Sequence, residues 1–483
     1  MAAAPAPVYD GFERVAVSKP DVLFIEPGYI PDSLIERIAT STMPPLGLLQ
    51  VAAMLELDGY PVHALDFSVM PMDGRLQRAV HRYDPAFIGF SCTAPCLPNV
   101  QQMVREIRDM GCDAVLLCGG YDATARPEVY LRRGLADVVV LGEGEFSTGE
   151  VLAAWPNIED VPGIAFLRDG EVVSNPQRQR NKSLDELPYP ARHLLPMDLY
   201  RLAPGYRQSP KSTSVFFHRG CPHQCTFCDR TIFGQKMSFR SADSIIAELK
   251  FLSETYGTTE FRFHDDRFLV HPRRAEELLD KMIEQDLGFT WLCAERVDRL
   301  DPRLLAKMKR AGCYRIESGV EAGSQRVLDL IRKGIKKEQA IEAFHRAQDA
   351  GISLLSNFIL GFPTETRAEM EETIDFAIEM RPDYAAFFMF QPYPGSNIAT
   401  EFDLPWDDDH RRFSRLPHES YTLSNAEMEG VIDLAYRKFY LHPMRAWRLA
   451  RQVDHPEDIL TMGMAAVSMM RGGFAGGTGA PAA

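Results

Sequence analysis

No stretch of about 18 or more apolar residues occurs in the chain, so no segment has the length of a membrane-spanning helix. The first residues, Met1-Ala2-Ala3-Ala4-Pro5-Ala6-Pro7, lack the charged start and apolar core of a secretory signal. Basic residues are outnumbered: 53 Lys and Arg against 67 Asp and Glu give a formal net charge of −14. Nonspecific binding to nucleic acid or an anionic membrane needs clustered Lys and Arg, and no basic RNA-binding appendage is visible. Nine cysteines, an odd number in a chain of 483 residues, do not read as a disulfide framework. They read as reduced thiols or metal ligands, which implies the cytoplasm. No internal repeat stands out beyond a strand–helix rhythm.

What is present is ordinary globular material: 45% hydrophobic and 25% charged residues. That composition buries a sizeable core without staples, over about three domains. One loop is exceptional. After the apolar run Ser214-Val215-Phe216-Phe217, the segment Cys221-Pro222-His223-Gln224-Cys225-Thr226-Phe227-Cys228 spaces three cysteines as Cys-x3-Cys-x2-Cys. Three thiolates on so short a loop can hold three corners of a 4Fe–4S cube and leave the fourth iron open. A zinc knuckle with His223 as fourth ligand, or three buried thiols, are the alternatives.

The loop, with Phe227 before its last cysteine, resembles the signature of the radical S-adenosylmethionine (SAM) enzymes. The resemblance implies that the open iron chelates the amino and carboxylate groups of SAM. An electron from the cluster then cleaves SAM to methionine and a 5′-deoxyadenosyl radical. It also implies an external reductant such as flavodoxin or ferredoxin.

Upstream, apolar strand signals (Val22–Ile25, Val62–Leu65, Phe87–Phe90, Ala114–Leu117, Val138–Leu141) alternate with amphipathic stretches such as Leu46–Leu57 and Asn99–Met110. This alternation predicts a doubly wound, mostly parallel sheet of the Rossmann or flavodoxin-like kind over 20–155, with ligands at the carboxyl ends of its strands. Those ends carry Ser91-Cys92-Thr93, Gly119-Gly120 and Gly142-Glu143-Gly144-Glu145. Each could be a plain turn or a place where a bulky ligand meets backbone. Together with Pro44-Pro45-Leu46-Gly47 they resemble the cobalamin-binding domain of cobalamin-dependent radical SAM enzymes. That resemblance assigns Ser91, Thr93, Gly119, Gly120, Gly142 and Gly144 to cobalamin. Two features depart from it: Asp122 stands where His is common, and there is no Asp-x-His-x-x-Gly run. His63 and His81 read as packing or surface residues, so histidine is not expected to hold the lower face of cobalt.

Residues 156–210 are Pro-rich and read as a connector, with a polar hairpin around Asp169-Gly170. Over 211–400, six strand signals (Ser214–Phe217, Glu260–His264, Thr290–Ala294, Tyr314–Ser318, Leu354–Leu360, Ala385–Phe390) alternate with helices. Six β/α units predict a partial (β/α)6 TIM-type barrel, open on one side, with its site at the carboxyl ends of the strands. Those ends are polar. By resemblance, Asp266 would take the SAM ammonium, Arg296 its carboxylate or ribose, and Ser318 or Glu321 the ribose. Phe227 and Gly361 would complete the SAM site beside the metal ligands Cys221, Cys225 and Cys228. Each has an alternative as a solvated charge or turn residue.

From 401 to 471 a small helical cap is expected, opened by the capping box Ser424-Asn425-Ala426-Glu427 and continued by Met444–Gln452 and Pro456–Met469. Residues 1–19 read as a loose leader and 472–483 as a disordered tail. The other cysteines (Cys92, Cys96, Cys112, Cys118, Cys293, Cys313) read as small core residues. The expected activity is methylation of an unactivated carbon of a small molecule. Oxidative cyclisation, as in the anaerobic Mg-protoporphyrin monomethyl ester cyclases, keeps the same fold, and a cofactor sensor is a third reading.

Overall fold

The computed structural model describes residues 19–28, 41–203, 207–408 and 422–441. The leader through residue 18, the stretches Met444–Gln452 and Pro456–Met469 and the glycine-rich end lie outside the described residues.

The first apolar runs form β1 (Val22–Glu26), β2 (Val62–Asp66), β3 (Phe87–Ser91), β4 (Val115–Gly119) and β5 (Val138–Val140). They are parallel and ordered β2-β1-β3-β4-β5. Strand order reverses between β1 and β3, the switch point outside which such sheets bind ligands. Both faces are buried: Leu23, Ile25 and Ile88 pack on one side, Val22, Phe24 and Leu117 on the other. The helices covering them include the two expected, at Leu46–Leu57 and Leu97–Asp109, and a shorter one at Arg75–Tyr83.

The sheet does not stop at residue 155. The hairpin in the connector stretch adds β6 (Ile164–Arg168), antiparallel to β5 with Val138 opposite Phe166, and β7 (Glu171–Ser174), antiparallel to β6 at the sheet edge. Ile164, Ala165 and Phe166 are buried, so this strand shields the β5 edge that composition alone labels loop. Its turn, Asp169-Gly170, has both φ values positive, as a two-residue hairpin requires.

The second sheet comprises β8 (Ser212–Val215), β11 (Glu260–Phe263), β12 (Thr290–Ala294), β13 (Cys313–Glu321), β14 (Ser353–Leu360) and β15 (Tyr384–Met389), all parallel and in that spatial order. Between β8 and β11 lies a short antiparallel ribbon, β9 (His218–Arg219) with β10 (Ser238–Phe239). The first barrel strand begins two residues earlier than its signal, because Thr213 and Ser214 are buried despite being polar. Helices at Ala242–Tyr256, Pro272–Glu284, Pro302–Arg310, Lys337–Asp349 and Arg367–Met380 cover the outer face. A further short helix, Gln325–Leu330, interrupts the rhythm after β13.

The sheet is open, and β15 is an edge. The helix Asn425–Tyr440, opened by the Ser424–Glu427 capping box, seals it. Tyr436 and Tyr440, one turn apart, each both accept from and donate to edge backbone, at Phe387 (3.2 and 3.3 Å) and at Ala385 (3.0 and 2.7 Å). Edge groups that would otherwise face solvent are thereby satisfied. Among the described residues no helix is long and apolar enough to cross a membrane.

Candidate active site between the two sheets

After β8 the chain turns into β9, and Asp265 fixes that turn. Its carboxylate accepts from the backbone N–H groups of Phe217 (3.0 Å) and His218 (2.6 Å), and burial pushes its carboxyl up to about 6. The three cysteines follow on the β9–β10 loop. Gly220 has φ +92°, and a Cβ there would stand 2.3 Å from the Lys236 carbonyl oxygen, so no other residue fits. The loop is pinned at Thr226, whose N–H donates to the Ile331 carbonyl (3.0 Å) and whose carbonyl accepts from the Ile398 N–H (2.9 Å).

Cys225 is buried, Cys221 half-buried and Cys228 exposed at the mouth. Although Cys228 reaches solvent, the surrounding walls desolvate it. That crowding, then Asp266 and the other two cysteines, pushes its thiol up to about 12. Cys221 is raised for the same leading reason. Thiols raised in this way, Cys221 and Cys228, become thiolates around a cationic core, as iron supplies. Among the described residues no three His, Cys, Asp or Glu side chains converge on a single-ion site. A cube, which spreads its thiolates over separate irons, suits this donor set better than tetrahedral zinc. His223 does not restore the zinc alternative, because its Nε2 is engaged by Arg267 Nη1. Desolvation, then Arg296 and Arg267, lowers its imidazole to about 4.

The residues assigned to SAM do not all converge. Asp266 is exposed into the cavity between the sheets, where desolvation raises its carboxyl. Arg296, Glu321 and Phe227 gather round Lys333, a residue the sequence did not single out, while Ser318 and Gly361 are engaged elsewhere on β13 and after β14. Arg296 Nη2 donates to the Lys333 carbonyl (2.7 Å), its Nε to Asp298 (2.9 Å), and its Nη1 lies 3.9 Å from Cys225 Sγ. Lys333 Nζ donates to Glu321 (2.7 Å) and sits 5.7 Å from the centre of the Phe227 ring. Ser318 is fully buried, and its hydroxyl donates to the Glu295 carbonyl (2.6 Å). The Gly361 and Phe362 N–H groups donate to Glu365 (2.7 and 3.0 Å), which holds the turn after β14.

A cavity of about 540 Å³ opens between the sheets, within the size range of cofactor sites. Ser91, Thr93, Gly119, Gly120, Gly142 and Gly144 all line it, together with Pro44, Pro45 and Gly47. The opposite wall is barrel: Phe216, His218, Arg219, Phe233, His264 and Asp266. At Gly120 (φ +95°) a Cβ would stand 2.7 Å from the Cys92 carbonyl oxygen, so the backbone itself forms the wall there. A broad, flat group with peripheral amides fits such a cradle of glycine, hydroxyl and backbone.

Asp122 does not face the cavity. It is 2% exposed and accepts from Arg126 (3.0 and 2.9 Å) and from the Tyr130 hydroxyl (2.6 Å). His63 stacks on Tyr83 at 3.6 Å, and His81 is exposed on its helix. Two histidines do face the cavity, His218 and His264, but from the barrel, at the ends of its first two strands. Not singled out by the sequence were Glu26 and Asp66 at the ends of β1 and β2, and Arg219. The only signal for Arg219 was its position one residue before Gly220-Cys221.

Residues 215–377 match the family model for the radical SAM superfamily, and residues 37–152 match that for the B12 binding domain. The chain is 30% identical over 427 residues to an uncharacterized methyltransferase of Pyrococcus horikoshii, across 85% of this chain and 91% of that protein. It is 27% identical over 437 residues to the anaerobic magnesium-protoporphyrin IX monomethyl ester cyclase of Rubrivivax gelatinosus, across 87% and 77% of the two chains. Among solved structures, that of the cobalamin-dependent S-adenosylmethionine radical enzyme OxsB with aqua-cobalamin and S-adenosylmethionine gives a TM-score of 0.70. The match covers 94% of this chain and 72% of that one at 15% identity, a likeness of fold.

Proposed function

Because the chain belongs to the radical SAM enzymes that carry a B12 binding domain, we propose that it methylates an unactivated carbon of a small-molecule substrate. When bound, the cluster supplies the electron that cleaves SAM to a 5′-deoxyadenosyl radical, and cobalamin supplies the methyl group. The observation that carries this reading is the single cavity walled on one side by the six cobalamin-assigned residues and on the other by the barrel mouth beside the cysteine loop.

In this reading Cys221, Cys225 and Cys228 hold the cluster, and the Thr226 backbone bonds fix the loop against the barrel. Asp266 receives the ammonium of SAM. Its carboxyl is raised by desolvation, and a cation beside it restores the ionised form. Arg296 keeps Nη1 near Cys225 while Asp298 and the Lys333 carbonyl orient its fork, so it meets the SAM carboxylate without reorganising. Glu321, at the end of β13 and braced by Lys333, or Ser318 three residues earlier in the same strand, forms the ribose side. Phe227 and the Gly361 turn close the pocket. Residues 20–155 with the β6–β7 hairpin hold cobalamin, and 211–400 hold cluster and SAM. Closing the cavity between two sheets keeps water from the radical.

The likeness to the cyclase favours a second reading, in which the same radical leads to ring formation. Reconstituted, reduced protein is incubated without oxygen with methyl-labelled SAM and candidate substrates. S-adenosylhomocysteine with labelled product supports methylation, whereas 5′-deoxyadenosine without label transfer supports cyclisation. The Cys221→Ala, Cys225→Ala, Cys228→Ala triple variant should lose its iron and the visible charge-transfer bands. Retention of both would overturn either reading.

A further inference from the structure

The loop that carries the cobalamin-assigned glycines and the loop that carries the cysteines meet at one guanidinium. Arg219 Nη1 lies 2.8 Å from Glu143 and Nη2 2.6 Å from Glu145. The three side chains are 7%, 9% and 6% exposed. Arg219 comes from β9, in the barrel; the two glutamates flank Gly144, in the other domain. A buried, forked pairing of this kind fixes relative position as well as charge.

Further contacts, through Asn181, Arg180 and Phe233, bind the same two loops. Glu143 also accepts from the Asn181 N–H (3.1 Å), while the Asn181 carbonyl accepts from Ser238 (2.7 Å), in the strand paired with Arg219. Arg180 stands 3.7 Å from Glu143 and donates to the Lys236 carbonyl, the oxygen that Gly220 abuts. The Phe233 ring, on the cysteine loop and in the cavity wall, lies beneath both guanidiniums, 5.6 Å from Arg219 and 5.8 Å from Arg180. The Cys221 N–H donates to the Gly234 carbonyl (3.3 Å), next to Phe233. A group that fills the cavity therefore presses on Glu143, Glu145 and Phe233 together, and two residues beyond Arg219 the chain is Cys221.

We propose that Arg219 is a positioning residue that couples the two cofactor sites, so that occupancy of the corrin cavity and seating of the cluster favour each other. This rests on the reading that the cavity takes cobalamin. Coupling of this kind is reciprocal: whatever factor the cluster contributes to cobalamin affinity, cobalamin returns to cluster retention.

Equilibrium dialysis of hydroxocobalamin against the full chain, before and after cluster reconstitution, measures the factor. The expected dissociation constant is lower by about fivefold or more with the cluster in place. In Arg219→Met and in Glu145→Gln the ratio falls to about one, although each still binds both cofactors. Arg219→Lys, which keeps the charge and loses the fork, gives an intermediate ratio. A packing defect would weaken binding in both states and leave the ratio unchanged. A wild-type ratio of one, or a wild-type ratio surviving in the variants that fold, overturns the proposal. Should wild-type protein bind no cobalamin in either state, the functional reading fails and the coupling with it.

Discussion

Lys333 Nζ lies 2.7 Å from Glu321 Oε1, and each side chain is 8% exposed. Glu321 sits at the end of β13 with φ +73°, a backbone conformation unusual for a residue with a side chain. The ion pair holds that turn beside the cysteine loop. Lys333→Met leaves a buried carboxylate unpaired, which costs about 3–5 kcal/mol of stability. Removing both charges, as Lys333→Met with Glu321→Met, should restore much of the loss. Urea midpoints of the two singles and the double test this. A double variant as unstable as the sum of the singles would show that the pair is not the cause.

Ser91 ends β3 at the switch point and lines the cavity, where its side chain hydrogen-bonds Glu26. Ser91→Trp should occupy space that the proposed corrin needs. Cobalamin affinity should fall about tenfold or more, equal to about 1.4 kcal/mol. Iron content, compared on both proteins reconstituted without cobalamin, should be equal, because Ser91 belongs to the sheet opposite the cysteine loop. Absorbance of protein desalted after cobalamin loading reads the affinity loss, and full cobalamin retention would place the cofactor elsewhere.

What was legible follows from the range of each interaction. Val22–Ile25 and Phe87–Phe90 announce strands because fully buried strands read as unbroken apolar runs. The cysteine loop announces itself because its chemistry needs close spacing along the chain. Arg219 and Glu143 are 76 residues apart, so no local pattern joins them, and only folding reveals that they meet. The β6–β7 hairpin was legible as a turn but not as a sheet edge, since pairing partners are not written locally. Lys333 was missed because a lysine in Ile331-Arg332-Lys333-Gly334 reads as solvated until Glu321 and Phe227 close over it.

Glu26 and Asp66 are directly opposed on neighbouring parallel strands. Burial, then the Asp66 charge, raises Glu26 to about 8, while Ser91 and the Gly28 backbone offset part of that shift. Cys96 and Tyr200 also feel its charge, and no cation pairs with either acid among the described residues. The folded protein therefore keeps a proton that the unfolded chain releases near pH 4.5. This stability is complete below that value and is lost as pH rises toward about 8. Glu26→Gln should flatten the decline, gaining about 2 kcal/mol over wild type near the top of the window, allowing for water at the cavity wall. Thermal melts at several pH values decide it. Parallel curves for wild type and variant would show that Glu26 is ionised in the fold.

Glu248 is clasped between two arginines, and the two are not equivalent. Its Oε1 accepts from Arg192 Nη1 (2.8 Å), whose other arm donates to the Ser214 carbonyl (2.8 Å). Its second oxygen is held by Arg240. Arg192 and Glu248 are each 1% exposed, and burial alone would raise the carboxyl, but the two guanidiniums together hold it below its usual range. Glu248→Gln strands two cations on a neutral acceptor and should cost about 3–5 kcal/mol. Arg192→Met leaves Glu248 still paired to Arg240, so it should cost less, about 1–3 kcal/mol. The order matters more than either value: because Arg192 belongs to the segment before β8 and Glu248 to the helix after β10, the glutamate is the point where that segment is fastened to the barrel. Urea denaturation of both variants would give the order, and a larger loss for Arg192→Met would mean that its bond to Ser214, rather than the shared carboxylate, does the fastening.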